Sequence, residues 1–159
     1  MVRHSFAGVG AGLVRKSTIV EIITMLLIVL FIYTGLSKMM DHTNFKYQLN
    51  RSPFIQPISN FIATVLPAGE LLIASVLLFK RTRLAGLYAS FFLMVLFTGY
   101  IFMMLHFSYD LPCSCGGVLA KMSWHDHLLF NSLFTLLAMV AVILENDINV
   151  KSRRVFTMH

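Results

Sequence analysis

IVEIITMLLIVLFIYTGLSKM, residues 19–39, decides the fold. A span of the bilayer's hydrocarbon core takes about 20 apolar helical residues, and this run has that length. Three more stretches match it: about Ile58–Phe79, about Leu84–Phe107 and about His127–Leu144. Pro57 bounds the second, and Lys80-Arg81-Thr82-Arg83 separates it from the third. Backbone polar groups exposed to lipid must be satisfied within the segment, so each stretch is predicted to be a helix. Short links between four such helices predict an all-α, antiparallel four-helix transmembrane bundle.

Composition agrees with this polytopic membrane class. Of 159 residues, 57% are hydrophobic and 13% charged, and the mean hydropathy is +0.76. Water-soluble domains are about one half apolar and about one quarter charged. The net charge of +6 lies in short basic clusters beside the apolar runs, with no nucleic-acid motif, so lipid is the expected environment. Arg3, Arg15, Lys16, Lys80, Arg81, Arg83, Lys151, Arg153 and Arg154 fall on one side of the predicted bundle. Lys38, Lys46, Arg51 and Lys121 fall on the other. The positive-inside rule then predicts cytoplasmic N and C termini. The expected organisation is a cytoplasmic segment 1–18, a transmembrane domain 19–145 and a cytoplasmic tail 146–159. A small flexible or interfacial stretch is expected at 5–12, and loops facing away from the cytoplasm at about 41–57 and around Cys113. Residues 1–36 also have the basic-then-apolar order of a secretory signal. No small-x-small cleavage site follows, which favours an uncleaved first helix.

The only two cysteines lie in Pro112-Cys113-Ser114-Cys115-Gly116-Gly117. A thiol pair on the oxidising side of a membrane suggests dithiol–disulfide chemistry. A Cys113–Cys115 disulfide would close a small, strained ring, and strain makes such a bond easier to reduce. Gly116 and Gly117 supply the backbone freedom that such a loop needs, and Pro112 restricts its approach. Either cysteine could attack. The alternatives are a permanent structural bridge and a metal site. Cys113, Cys115, His125 and His127 are the ligand types that zinc favours, and sulfur with nearby methionines suits Cu(I).

His127, Asn131 and Thr135, spaced i, i+4, i+8, share one face of the fourth helix and should point into the bundle. His127 could accept the proton released when a thiol attacks; a packing hydrogen bond is the plainer alternative. Glu70 falls near mid-bilayer, where a carboxylate must be protonated or paired. A proton relay or a quinone headgroup contact are its functional readings, and a structural hydrogen bond to Tyr33, Ser37 or Asn131 is the other. Lys38 is expected to pair with Asp41 or to snorkel to the interface. Gly86, Ser90, Met94 and Thr98 form a small or polar track suited to close helix packing. Trp124 and Tyr109 are expected as interfacial anchors.

Tyr33-Thr34-Gly35-Leu36-Ser37-Lys38, Phe45 through Ser52-Pro53-Phe54, Leu66-Pro67-Ala68-Gly69-Glu70-Leu71-Leu72 and Cys113-Ser114-Cys115-Gly116-Gly117 occur in that order. In order and spacing, from about Ile19 to Leu144, the chain resembles the MauE/DoxX group of redox-associated four-helix membrane proteins. The resemblance implies a bacterial inner-membrane protein with its cysteine loop on the periplasmic side. It further implies a role in disulfide formation or electron transfer for an exported thiol protein, and a link to sulfur or quinone redox. The chain lacks the Cys-x-x-Cys pair of the vitamin K epoxide reductase-like membrane oxidants. The quinone is a cofactor that the resemblance implies and that this departure does not support, and an accessory subunit docked against other membrane subunits is the non-enzymatic alternative.

Overall fold

A computed structural model describes residues 5–52, 55–107 and 123–157, with side chains described between residues 15 and 152. Five α-helices run in order: α1 (Ser5–Met40), α2 (His42–Arg51), α3 (Ser59–Leu78), α4 (Arg83–Phe107) and α5 (Trp124–Thr157). Four of them, α1, α3, α4 and α5, are long and apolar enough to cross a membrane. They pack in a ring in which each touches its neighbours, α1 against α3 and α5, and α4 against α3 and α5. Lys16 of α1 meets Asp147 of α5 at one end, and Thr98 of α4 meets Thr135 of α5 in the middle. These pairings run antiparallel. The chain is an all-α, multi-pass four-helix bundle.

The outer surface is apolar: Val29, Phe61, Leu72, Phe92 and Leu129 are all exposed. Lipid takes the place of water there, so hydrophobicity alone cannot hold the helices together, and shape and polar contacts must contribute. The core is built from Val20, Leu27, Phe31, Leu77, Leu87, Met94 and Ala138. Two glycines set the spacing of α3. A Cβ on Gly35 would meet Leu71 Cγ at 3.1 Å and the Pro67 carbonyl oxygen at 3.3 Å, so α1 and α3 approach closely there. A Cβ on Gly86 would meet Leu77 Cδ2 at 2.9 Å. Gly86, Ser90 and Met94 are buried along α4, which is the packing track expected from the sequence. Hydroxyls inside the bundle bond back to their own helices: Thr24 to the Val20 carbonyl and Ser90 to the Gly86 carbonyl, each at 2.7 Å. This satisfies the hydroxyl without water.

The helices differ from the predicted spans at several ends. α1 already begins at Ser5, so the stretch 5–12 is helical. Residues 42–51 form a helix where a loop was expected. The cause is an apolar pair one turn apart: Phe45 and Leu49 are buried against Ala63, with Ile62 and Leu66 alongside. α5 begins at Trp124, ahead of His127, because Ser123 caps the helix and bonds the Asp126 side chain in its first turn. The Asp126 amide donates to Ser123 Oγ at 3.2 Å, and that hydroxyl donates to Asp126 Oδ2 at 2.6 Å. α5 also continues to Thr157, through most of the segment expected as a cytoplasmic tail.

Candidate functional site

The sequence leaves one carboxylate, Glu70, in the apolar part of α3, and its partner is Lys38. The Lys38 ammonium donates to Glu70 Oε1, with the two side chains 5% and 0% exposed. Lys38 therefore neither snorkels nor pairs with Asp41, whose carboxylate accepts instead from Asn44 at 3.1 Å. Three features of local sequence produce this arrangement. α1 continues as a regular helix through Lys38 to Met40 and keeps the lysine on the face that carries Phe31 and Gly35. Gly35 lets that face come against Pro67 and Leu71, one turn and one residue from Glu70. α2 then folds back over α3, and its Phe45 closes the top. Lys38 Nζ lies 5.8 Å from the Phe45 ring centroid and 5.1 Å from that of Phe97 on α4. Both rings offer a negative face to the ammonium. One lysine thus ties together α1, α2, α3 and α4.

Beside this pair is a cavity of about 50 Å³. Thr34, Lys38, Glu70, Tyr100, His127 and Asn131 supply its polar lining, and Leu30, Phe31, Met94, Phe97, Ile101 and Phe130 its apolar walls. Two buried polar atoms, Glu70 Oε2 and His127 Nδ1, have no hydrogen-bond partner among the described residues. The polar stripe on α5 faces inward: His127 and Asn131 are buried. Asn131 Nδ2 donates to the His127 carbonyl at 3.0 Å, and Thr135 Oγ1 donates to the Asn131 carbonyl at 2.7 Å. Thr34 Oγ1 donates to the Leu30 carbonyl at 2.9 Å. As shaped, the cavity is smaller than the roughly 150 Å³ void that accommodates benzene.

The structure brings together Glu70, Lys38, His127 and Asn131 from three different helices. Tyr33 and Ser37 lie elsewhere: Tyr33 is 39% exposed on the outer face of α1, and Ser37 is half-buried away from the cavity lining. Pro112, Cys113, Cys115, Gly116, Gly117, Tyr109 and Lys121 lie outside the described residues, as does any Cys113–Cys115 bond. The metal alternative also involves His125 and His127. These occupy α5 two residues apart, about 200° around the helix, and His125 is exposed while His127 is buried. The helix therefore directs the two imidazoles apart. Among the described residues no group of three or more His, Cys, Asp or Glu could hold a metal ion.

Sequence reasoning set Glu70 and Lys38 down as separate candidates and missed their union. Tyr100, Thr34 and Phe97 were not singled out. Thr34 is one turn before Lys38, and Phe97 lies three residues after Met94 and seven after Ser90, so helical spacing puts both on interior faces.

At the opposite end, Arg83 at the start of α4 holds Glu145 of α5 bidentately, with Nε to Oε1 at 3.0 Å and Nη2 to Oε1 and Oε2 at 2.9 and 3.0 Å. This planar fork joins the helices and lies outside the cavity lining.

A family model, methylamine utilisation protein MauE, matches residues 16–144. That range contains all four spanning stretches, the Lys38–Glu70 pair and both cysteines. No curated protein and no solved structure matches the chain.

Proposed function

Because the chain belongs to the MauE family, we propose that it is a membrane thiol–disulfide exchange protein that uses the Cys113/Cys115 pair on an exported partner. The observation that carries this reading is connectivity. The segment holding the only two cysteines joins the end of α4 to the start of α5, the end of the bundle where His127 and the buried Lys38–Glu70 pair lie. Charge distribution supports a non-cytoplasmic position for that end, since nine of the thirteen basic residues fall at the other.

In the oxidising direction, a partner thiolate attacks one sulfur of the Cys113–Cys115 disulfide. The intramolecular S–S bond breaks, a mixed disulfide forms, and the other cysteine leaves as a thiolate that takes up a proton. A second partner thiol, deprotonated in turn, attacks the mixed disulfide and releases a reduced Cys113/Cys115 pair with an oxidised partner. Two electrons and two protons have moved from partner to carrier. A further disulfide protein, or a lipid-soluble quinone at the membrane face, reoxidises the pair by accepting the same two electrons and two protons. His127, on the first turn of the helix that follows the loop, is placed in sequence to move protons to and from sulfur.

The test uses Cys113→Ser and Cys115→Ser variants in cells, with non-reducing gels and a membrane-impermeant thiol label. A single variant should accumulate mixed disulfides with exported proteins, and the label should reach the remaining thiol from outside. Labelling from the cytoplasmic side alone refutes the reading. So does a pair that never opens and whose loss merely lowers protein level.

A further inference from the structure

We propose that the cavity between Glu70 and His127 is a buried water-binding site that carries protons between the carboxylate and the imidazole. This goes beyond the thiol reading and does not depend on it. Three observations support it.

The first is size. A water needs roughly 10–15 Å³ of such volume, so a cavity of about 50 Å³ has room for about three. The second is chemistry. Dry cavities are apolar, whereas a water site needs two to four polar partners. Glu70 Oε2 and His127 Nδ1 are buried, line this cavity and lack a protein partner among the described residues. Lys38 Nζ and the lone pairs of Thr34 Oγ1 adjoin them. Leaving two such atoms dry would forfeit their hydration without a protein hydrogen bond in return, which is costliest for a charged group. The third is contrast. Phe97, Ile101 and Phe130 present only hydrocarbon to the site, so its polar atoms are the groups there that can bind a proton.

The charged and titratable groups facing the cavity are Lys38 from α1, Glu70 from α3, Tyr100 from α4 and His127 from α5. In one transfer a proton arrives at His127 Nε2, the N–H bond at Nδ1 then breaks, and an O–H bond forms at Glu70 Oε2. The intervening water gains one proton and gives one up, and the ring is left neutral. Lys38 keeps Oε1 occupied, so Oε2 is the oxygen that receives the proton. Glu70 and His127 are the two ends of the path, and Lys38 is a positioning residue.

The experiment is ¹⁵N NMR of the full chain in lipid nanodiscs with labelled histidine, His127 being assigned by loss of its signals in His127→Gln. Water-proton exchange at Nδ1 is measured in the wild type, Glu70→Gln, Ile101→Phe and Leu30→Phe. The last two fill the cavity from opposite walls, so one remains informative if the other fails to fold. Unchanged signals from His106 and His125 verify the fold. The expected result is a shift of the His127 Nδ1 resonance in Glu70→Gln, and exchange at least tenfold slower in a folded filled variant. A His127 resonance indifferent to Glu70→Gln, or exchange as fast with the cavity filled, overturns the proposal.

Discussion

Breaking the Lys38–Glu70 pair from one side should harm the protein more than removing it altogether. The two side chains are 5% and 0% exposed, so neither charge can recover water when its partner is lost. Removing one member of a buried pair typically costs about 3–5 kcal/mol, whereas replacing both with apolar groups is often neutral or stabilising. Glu70→Leu leaves the Lys38 ammonium facing Phe45 and Phe97, whose faces return about 0.5–2 kcal/mol. Its expected cost is therefore about 2–3 kcal/mol. Lys38→Met strands the carboxylate with no comparable compensation and should cost about 3–4 kcal/mol. Both values sit at or below the lower part of the usual range because unfolded helices in lipid still find partial partners for their polar groups. The double variant Lys38→Met/Glu70→Leu should fall within about 1 kcal/mol of wild type. A double-mutant cycle by reversible unfolding in mixed micelles or bilayers, read by loss of helical signal, measures the coupling. It should be at least about 4 kcal/mol, against about 0.2–1 for an exposed pair. Single variants within about 0.5 kcal/mol of wild type, with an additive double, would refute the buried-pair reasoning.

Other perturbations follow from the same geometry. Gly86→Ala places a methyl 2.9 Å from Leu77 Cδ2 and should destabilise by about 1–3 kcal/mol in the same assay, as overpacking does. Gly35→Val should push α1 off α3 and, by separating Lys38 from Glu70, erase most of the coupling measured above. Arg83→Lys retains the charge but loses the fork on Glu145. It should recover less than half of the stability lost in Arg83→Ala, since an ammonium cannot bond bidentately in that plane. Ser123→Ala removes the cap of α5 and should cost about 1 kcal/mol. Lys16→Met should cost under about 1 kcal/mol by the same measurement, because its bridge to Asp147 is 35% and 51% exposed.

The four spans were legible because hydropathy acts over about 20 residues at a time, longer than any local exception. The α5 stripe was legible for a related reason: His127, Asn131 and Thr135 recur at helical spacing and have nowhere else to face. The partner of Glu70 was not. Lys38 sits at the end of an apolar run, where a basic residue ordinarily reaches for headgroups. What keeps it inside is a glycine contact between two helices and a ring from α2, and neither is a property of its own neighbourhood. α2 escaped notice because two apolar residues in ten are a weak signal until Ala63 and Leu66 are known to lie beneath them. The early start of α5 was in plain view as Ser123-x-x-Asp126, a capping signature that a hydropathy-based boundary overlooks.

The Lys38–Glu70 pair also bears on how the chain is assembled. Its halves belong to successive spanning helices, 32 residues apart, and hydrocarbon offers neither a neutralising group. During insertion the first span arrives with an unmatched cation near its end, and the next carries an unmatched anion toward the membrane's middle. The hairpin of α1 and α3, with α2 folded over it, is the smallest unit in which both are quenched. Docking of those two spans should therefore precede the addition of α4 and α5, and a nascent chain stopped after Leu78 should already hold the two side chains together.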